Sequence, residues 1–104
     1  MRVEMLVGLK VTNEEGYAEY RKAMRPLLLA TGGDFGCDFR VSEVLRAPGE
    51  ADINRVFTIH FPSASIRDTF FADPTYLAIK ERHFKAAVEG TTILASYQRD
   101  DERL

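Results

Sequence analysis

Five side chains in this 104-residue sequence are of types that could hold and transform a small molecule. His60 titrates near neutral pH and can serve as base, acid or ligand. Arg40, expected beside it on the neighbouring strand, could hold a carboxylate or stabilise an enolate, with Asp38 or Glu43 close by in sequence. The plainer reading of His60 and Arg40 is a polar pair at a subunit interface, because no motif fixes a catalytic geometry around them. Tyr20, Tyr76 and Arg82 form a second set on two helical segments. Tyrosine hydroxyls and a guanidinium can orient an anionic ligand in a cleft between helices and sheet. The plainer reading here makes the tyrosines amphipathic core edges and pairs Arg82 with Glu81 or Asp68.

The elements that must position these residues are readable from periodicity. Stretches 3–11, 37–47, 54–61 and 91–99 alternate with period two and are rich in Val, Ile, Phe and Thr. Between them lie two helical segments. The first opens at Asn13, a good N-cap, with Glu14 and Glu15 in the positive first turn. Tyr17, Tyr20, Met24, Leu27 and Leu28 share a face, Pro26 predicts a kink, and Gly32-Gly33 predicts the stop. The second segment is interrupted at Asp73-Pro74 in "TFFADPTYLAIKERHFKAA". Ser63 or Ser65 can cap its first piece. Asp73 is a fresh N-cap and Pro74 suits a first helical position, so backbone chemistry alone explains the break. The second piece is expected to run to about Glu89, with Leu77, Phe84 and Val88 inward and Gly90 as terminator.

The order strand, helix, strand, strand, helix, strand predicts an α+β fold: a ferredoxin-like βαββαβ sandwich with a four-stranded antiparallel sheet and both helices on one face. It forms a single domain, with a solvated tail expected over 99–104. Matching faces on strands two and three sets His60 opposite Arg40 and Thr58 opposite Ser42. Phe39, Val41 and Leu45 then turn toward the helices, and Asp38, Arg40, Ser42 and Arg46 turn away. The second face still carries Leu6, Val44, Val56 and Leu94, enough apolar surface to predict a homodimer through the sheets.

Composition removes several classes of function. Fourteen basic residues against sixteen acidic ones give a net charge of −2 without a basic face, which argues against nucleic acid. "NRVFTIHF" also lacks the basic-Gly-aromatic run of the RNA-binding domains that share this element order. No apolar run reaches the roughly 20 residues of a membrane span. The N-terminus has no signal-peptide core, so a cytoplasmic location is expected. Cys37 is the one cysteine and excludes an internal disulfide. Cys37, His60 and His83 share no ligand spacing, so neither a metal nor another cofactor is expected. His83 reads as a surface histidine.

"GYAEYRKAMRPLLLATGG" and "FTIHFPSASIRDTFFADPTYLAIKERHFKAA" resemble the small family known as domain of unknown function 1330. Tyr17, Tyr20, Pro26, Gly32, Gly33, Phe61, Pro62, Ser63, Phe71, Tyr76 and Arg82 fill its characteristic places. His60 stands where the family commonly has Glu. The resemblance implies the dimeric α/β-barrel arrangement, in which two sheets pack together with helices outside. That wider group includes cofactor-free monooxygenases, haem-degrading enzymes, dehalogenases and isomerases, so the fold does not select a chemistry. Two functions are therefore carried forward. One is a small-molecule-binding protein or cofactor-independent enzyme, monooxygenase- or isomerase-like, acting on a small anionic or aromatic substrate. There, His60 or Tyr20 would be the acid or base, and Arg40, Tyr76 and Arg82 would bind substrate. The other is a non-catalytic dimeric binding or regulatory module.

Overall fold

A computed structural model describes residues 2–99. Strand β1 (Arg2–Val11) leads to helix α1 (Glu14–Ala30), followed by β2 (Asp34–Arg40), β3 (Arg55–Phe61), α2 (Ala64–Ala72) and α3 (Pro74–Ile79). A wider π-helical turn (Lys80–Phe84) and a last short turn α4 (Lys85–Ala87) precede β4 (Val88–Arg99). The sheet order is β2-β3-β1-β4, with every neighbouring pair antiparallel. This is the expected ferredoxin-like α+β sandwich.

The helix boundaries follow the capping chemistry. Asn13 Oδ1 accepts from the Gly16 amide at 3.0 Å, Ser63 Oγ from Ile66 at 3.1 Å, and Asp73 Oδ1 from Thr75 at 2.7 Å. Asp73 is thus a cap, as expected, and the Asp73-Pro74 break is a joint between two helices. At the far end of α1, Gly32 takes a left-handed φ of 89°, and the Gly33 amide donates back to the Leu28 carbonyl. Pro26 does not interrupt α1. It lies on the exposed side, one turn beyond exposed Lys22, whose carbonyl can turn to water. Met24 and Leu28, 1% and 0% exposed, anchor the helix on both sides of it.

The second helical segment stops earlier than expected. Ala87, fully buried, ends it, and its carbonyl accepts from the Thr12 and Asn13 amides that open α1. Gly90 lies inside β4 and terminates nothing. Leu77 is 45% exposed, while Tyr76 at 4% is the inward residue of α3. One position along a helix turns a side chain by about 100°, so Tyr76 and Leu77 cannot both face the sheet.

The largest correction concerns β2. The expected strand 37–47 is Asp34–Arg40, and Val41–Arg46 lies outside the sheet. His60 faces Asp34 across the ladder, and Arg40 faces Arg55. Two features cause this. Beyond Arg55, Asn54 is committed to β1, its side chain bonded to both the amide and the carbonyl of Val11 at 2.8 Å. Beyond the Val41 amide, which still reaches the Asn54 carbonyl, β2 has no partner left. Between Phe35 and Asp38 the ladder also slips by a residue, and Thr58 Oγ1 accepts the Cys37 amide at 2.8 Å. Gly36 permits this approach, since a Cβ there would lie 2.4 Å from Thr58 Oγ1.

The bulge exchanges the two faces of the strand. Asp38 and Arg40, expected to point away from the helices, reach α1 instead: Asp38 meets Arg21 at 3.4 Å and Arg40 meets Glu14 at 3.9 Å. Phe39, expected inside, is 58% exposed on the open face opposite Val56, and Leu45 is 89% exposed. Phe35 takes the inward place and packs edge-on against Phe57. Ile53 folds back over Gly8 on the open face, where it is buried. Arg99 closes β4 with a 2.9 Å ion pair to Glu4; the remainder of the expected tail, 100–104, lies outside the described residues.

Candidate functional site

The side of the sheet that faces the helices carries a cleft of about 260 Å³. Met5, Val7, Phe57 and Ile59 form its floor, and Met24, Phe35, Phe84 and Ile93 its walls. Four polar side chains join this apolar surface: Tyr20 from α1, Tyr76 from α3, Lys80 from the π-helical turn and Thr91 from β4. An engineered cavity of about 150 Å³ is enough to hold benzene, so this cleft has room for a larger ring system.

Tyr20 and Tyr76 are brought together by the packing of α1 on α3. Their hydroxyls are 2.8 Å apart and buried. Tyr20 also packs on Phe84 at 4.8 Å between ring centres, and Tyr76 on Phe70 at 4.8 Å. Burial raises the pKa of both phenols; for Tyr20 the neighbouring Tyr76 adds to the rise. Both are therefore neutral phenols near pH 7. Each hydroxyl has one O–H donor, and the mutual bond uses one of the two. The remaining O–H is available to a ligand acceptor, while the depressed acidity makes a phenolate base unfavourable.

Lys80 stands four residues after Tyr76, and Phe84 four after Lys80, the spacing that stacks side chains on one helix side. The Lys85 amide donates to the Lys80 carbonyl, closing the wider turn. The Lys80 ammonium lies 5.8 Å from the Phe84 ring centre. Nothing in the sequence reading singled out Lys80; its i+4 relation to Tyr76 was the available signal.

The other expected site residues lie elsewhere. Arg82 is exposed and does not line the cleft. Its expected partners are engaged otherwise, Glu81 with Lys85 at 2.6 Å and Asp68 with Arg67 at 3.0 Å. Arg40 is at the outer edge of β2, where Glu14, Tyr17, Arg21 and Arg55 form a shallow depression. There the bidentate contact from Arg55, with both bonds at 2.8 Å, holds the Asp38 carboxyl below its ordinary pKa.

His60 is on the open face of β3, its neighbours Ile59 and Phe61 turning inward. Arg2 Nη1 donates to His60 Nδ1 at 3.2 Å and to the Gly32 carbonyl at 3.0 Å. Partial burial and the charges of Arg99 and Arg2 lower the His60 pKa, against the opposing pull of Glu4 and Asp34. Glu4 in turn accepts from Tyr97, whose pKa is pushed up to about 12 by that bond. His60 and the cleft are thus on opposite sides of the sheet, and no single pocket joins His60 to Arg82. Among the described residues no cluster of His, Cys, Asp and Glu could hold a metal ion, and no helix is long and apolar enough to cross a membrane.

Comparison with solved structures supports the fold. A protein of unknown function from Rhodopseudomonas palustris (RPA0582) is 21% identical, with a TM-score of 0.78 over 96% of this chain and 83% of its own. A dabb family protein with a ferredoxin-like fold from Mesorhizobium loti is 14% identical, with a TM-score of 0.66 over 94% and 96%. A dimeric ferredoxin-like protein of unknown function from Jannaschia sp. CCS1 is 13% identical, with a TM-score of 0.59 over 95% and 100%. A search of curated proteins gives no match. The family profile described as "Domain of unknown function (DUF1330)" matches residues 5–97, nearly the whole described chain. The chain belongs to the DUF1330 family.

Proposed function

We propose that this protein binds a small apolar or aromatic molecule in the cleft between sheet and helices. The observation that carries this reading is the Tyr20–Tyr76 hydroxyl pair, which supplies a spare hydrogen-bond donor at a mostly apolar, ring-sized space. Binding is favoured over turnover. The lining has no histidine, cysteine or carboxylate, and its two phenols are held neutral, so Lys80 is the one lining side chain left to take a proton in an oxygenase- or isomerase-type reaction. His60 could act only on a molecule bound at the open face.

The neutral aromatic amide 2-naphthamide serves as probe. It should bind saturably, and Ile93→Trp should weaken it at least tenfold by filling the mouth of the cleft, where Ile93 is 50% exposed. Titration calorimetry checks this. Absence of saturable binding up to about 1 mM, or binding indifferent to Ile93→Trp, would remove the cleft as the ligand site.

We further propose that the open sheet faces of two copies pack together, as the dimeric α/β-barrel arrangement requires. Phe39 at 58% exposure and the half-buried Leu6 and Val56 support this, as does the relative described as dimeric. Phe39→Glu should convert a dimer to a monomer in size-exclusion chromatography with light scattering. A monomeric parent protein, or an unaltered dimer in the variant, refutes this contact.

A further inference from the structure

We infer that Lys80 is the anion-holding group of the cleft, and that the natural ligand carries a carboxylate or similar anion beside its apolar body. This rests on the cleft reading above and specifies its substrate class. Most cations near the sheet and helices have carboxylate partners: Lys10 with Asp52 at 3.0 Å, Arg25 with Asp34 at 3.1 Å, Arg55 with Asp38 at 2.8 Å. Lys85, five residues beyond Lys80, holds Glu81 at 2.6 Å. Lys80 is half-buried, and among the described residues its ammonium forms no ion pair. Its charged contact is with the face of Phe84.

No acidic residue lines the cleft, so Lys80 and the Tyr20–Tyr76 pair present N–H and O–H donors to a space without a negative charge. A partly desolvated cation beside apolar walls gains most from a counter-ion delivered with the ligand. The ligand's rings would meet Phe84, Ile93 and the sheet floor, and its anion would meet Lys80 and the spare phenolic O–H. Arg82, two residues further along the same turn, is exposed outside the cleft and takes no part.

Two probes of matching shape separate this proposal from the cleft reading: 2-naphthoate, which is anionic, and 2-naphthamide, which is neutral. The parent protein should bind the naphthoate about tenfold or more tightly, the scale of one hydrogen bond to a charged group. Lys80→Met should bring the ratio of the two affinities close to one, because the naphthoate loses more than the naphthamide. Lys80→Arg should retain part of it, and Arg82→Met should leave both affinities alone. Thermal melts establish that each variant is folded. Equal affinity of the parent for both probes, an unchanged preference in Lys80→Met, or loss in Arg82→Met overturns the assignment while the cleft reading stands. If neither probe binds, both readings fall together.

Discussion

Phe61→Ala is expected to lower the unfolding free energy by about 3–5 kcal/mol, the range for removing a large aromatic side chain from a packed core. Phe61 is fully buried at the end of β3, with ring centres of Phe70 and Phe71 each 5.5 Å away. Those rings continue into Tyr76, 4.8 Å from Phe70 and 5.4 Å from Phe71. Phe61 is therefore the post on which α2 and the start of α3 rest, and the cavity left by alanine cannot close without moving Tyr76. Total stabilities of single domains run at roughly 5–15 kcal/mol, so the loss is a large share of the whole. Urea unfolding should show a lower midpoint with an unchanged slope, and Phe61→Leu should retain most of the stability. A loss under about 1 kcal/mol would mean that the α2–α3 joint is held by other contacts.

The second large effect is expected at Gly33. A Cβ there would lie 2.4 Å from the backbone carbonyl oxygen of His60 and 3.1 Å from Leu28 Cδ1. Leu28 could yield, but the carbonyl belongs to the β2–β3 ladder next to the Asp34–His60 pair. Relief requires β2 to move away from β3. Gly33→Ala should cost about 2–3 kcal/mol, the upper part of the usual overpacking range. It should also weaken 2-naphthamide binding, because Phe35 lies two residues along and forms part of the cleft wall. Gly90→Ala is the control: nothing lies within 4 Å of its Cβ position, and its stability should change little. Equal costs at the two glycines in urea unfolding would contradict this account of the β2 junction.

Much of the fold was legible in the sequence because α1, α2 and α3 each start at their own capping residue. Asn13, Ser63 and Asp73 all cap as their types and positions predict. The strands β1, β3 and β4 were legible through alternation. The register of β2 was not, since the alternation from Asp38 to Ser42 is the same whether or not a partner strand exists. Two close contacts decide it instead: Gly36 against Thr58, and Asn54 turned toward Val11. Both are tertiary, and neither has a local signature. One bulge then reverses Asp38, Phe39 and Arg40 together, and the register that sets Asp34 opposite His60 separates Arg40 from His60.

For the candidate site, Tyr20 and Tyr76 could be chosen because they are amphipathic residues on two helices that cover one sheet. That their hydroxyls meet depends on the angle between α1 and α3, which composition does not reveal. Arg82 drew attention as a guanidinium on the same helical segment that also fills a place characteristic of the family. Lys80 has the better place, one helical turn beyond Tyr76 on the same side, and the wider turn that follows leaves Arg82 outside.

The central claim is that a ligand enters between the sheet and the helices. Amide and side-chain chemical-shift mapping with 2-naphthamide tests it most directly. Shifts are expected to concentrate at Tyr20, Tyr76, Phe84 and Ile93, which surround the cleft. Shifts centred on His60, Phe39 and Tyr97 would put the ligand on the open face of the sheet and contradict it.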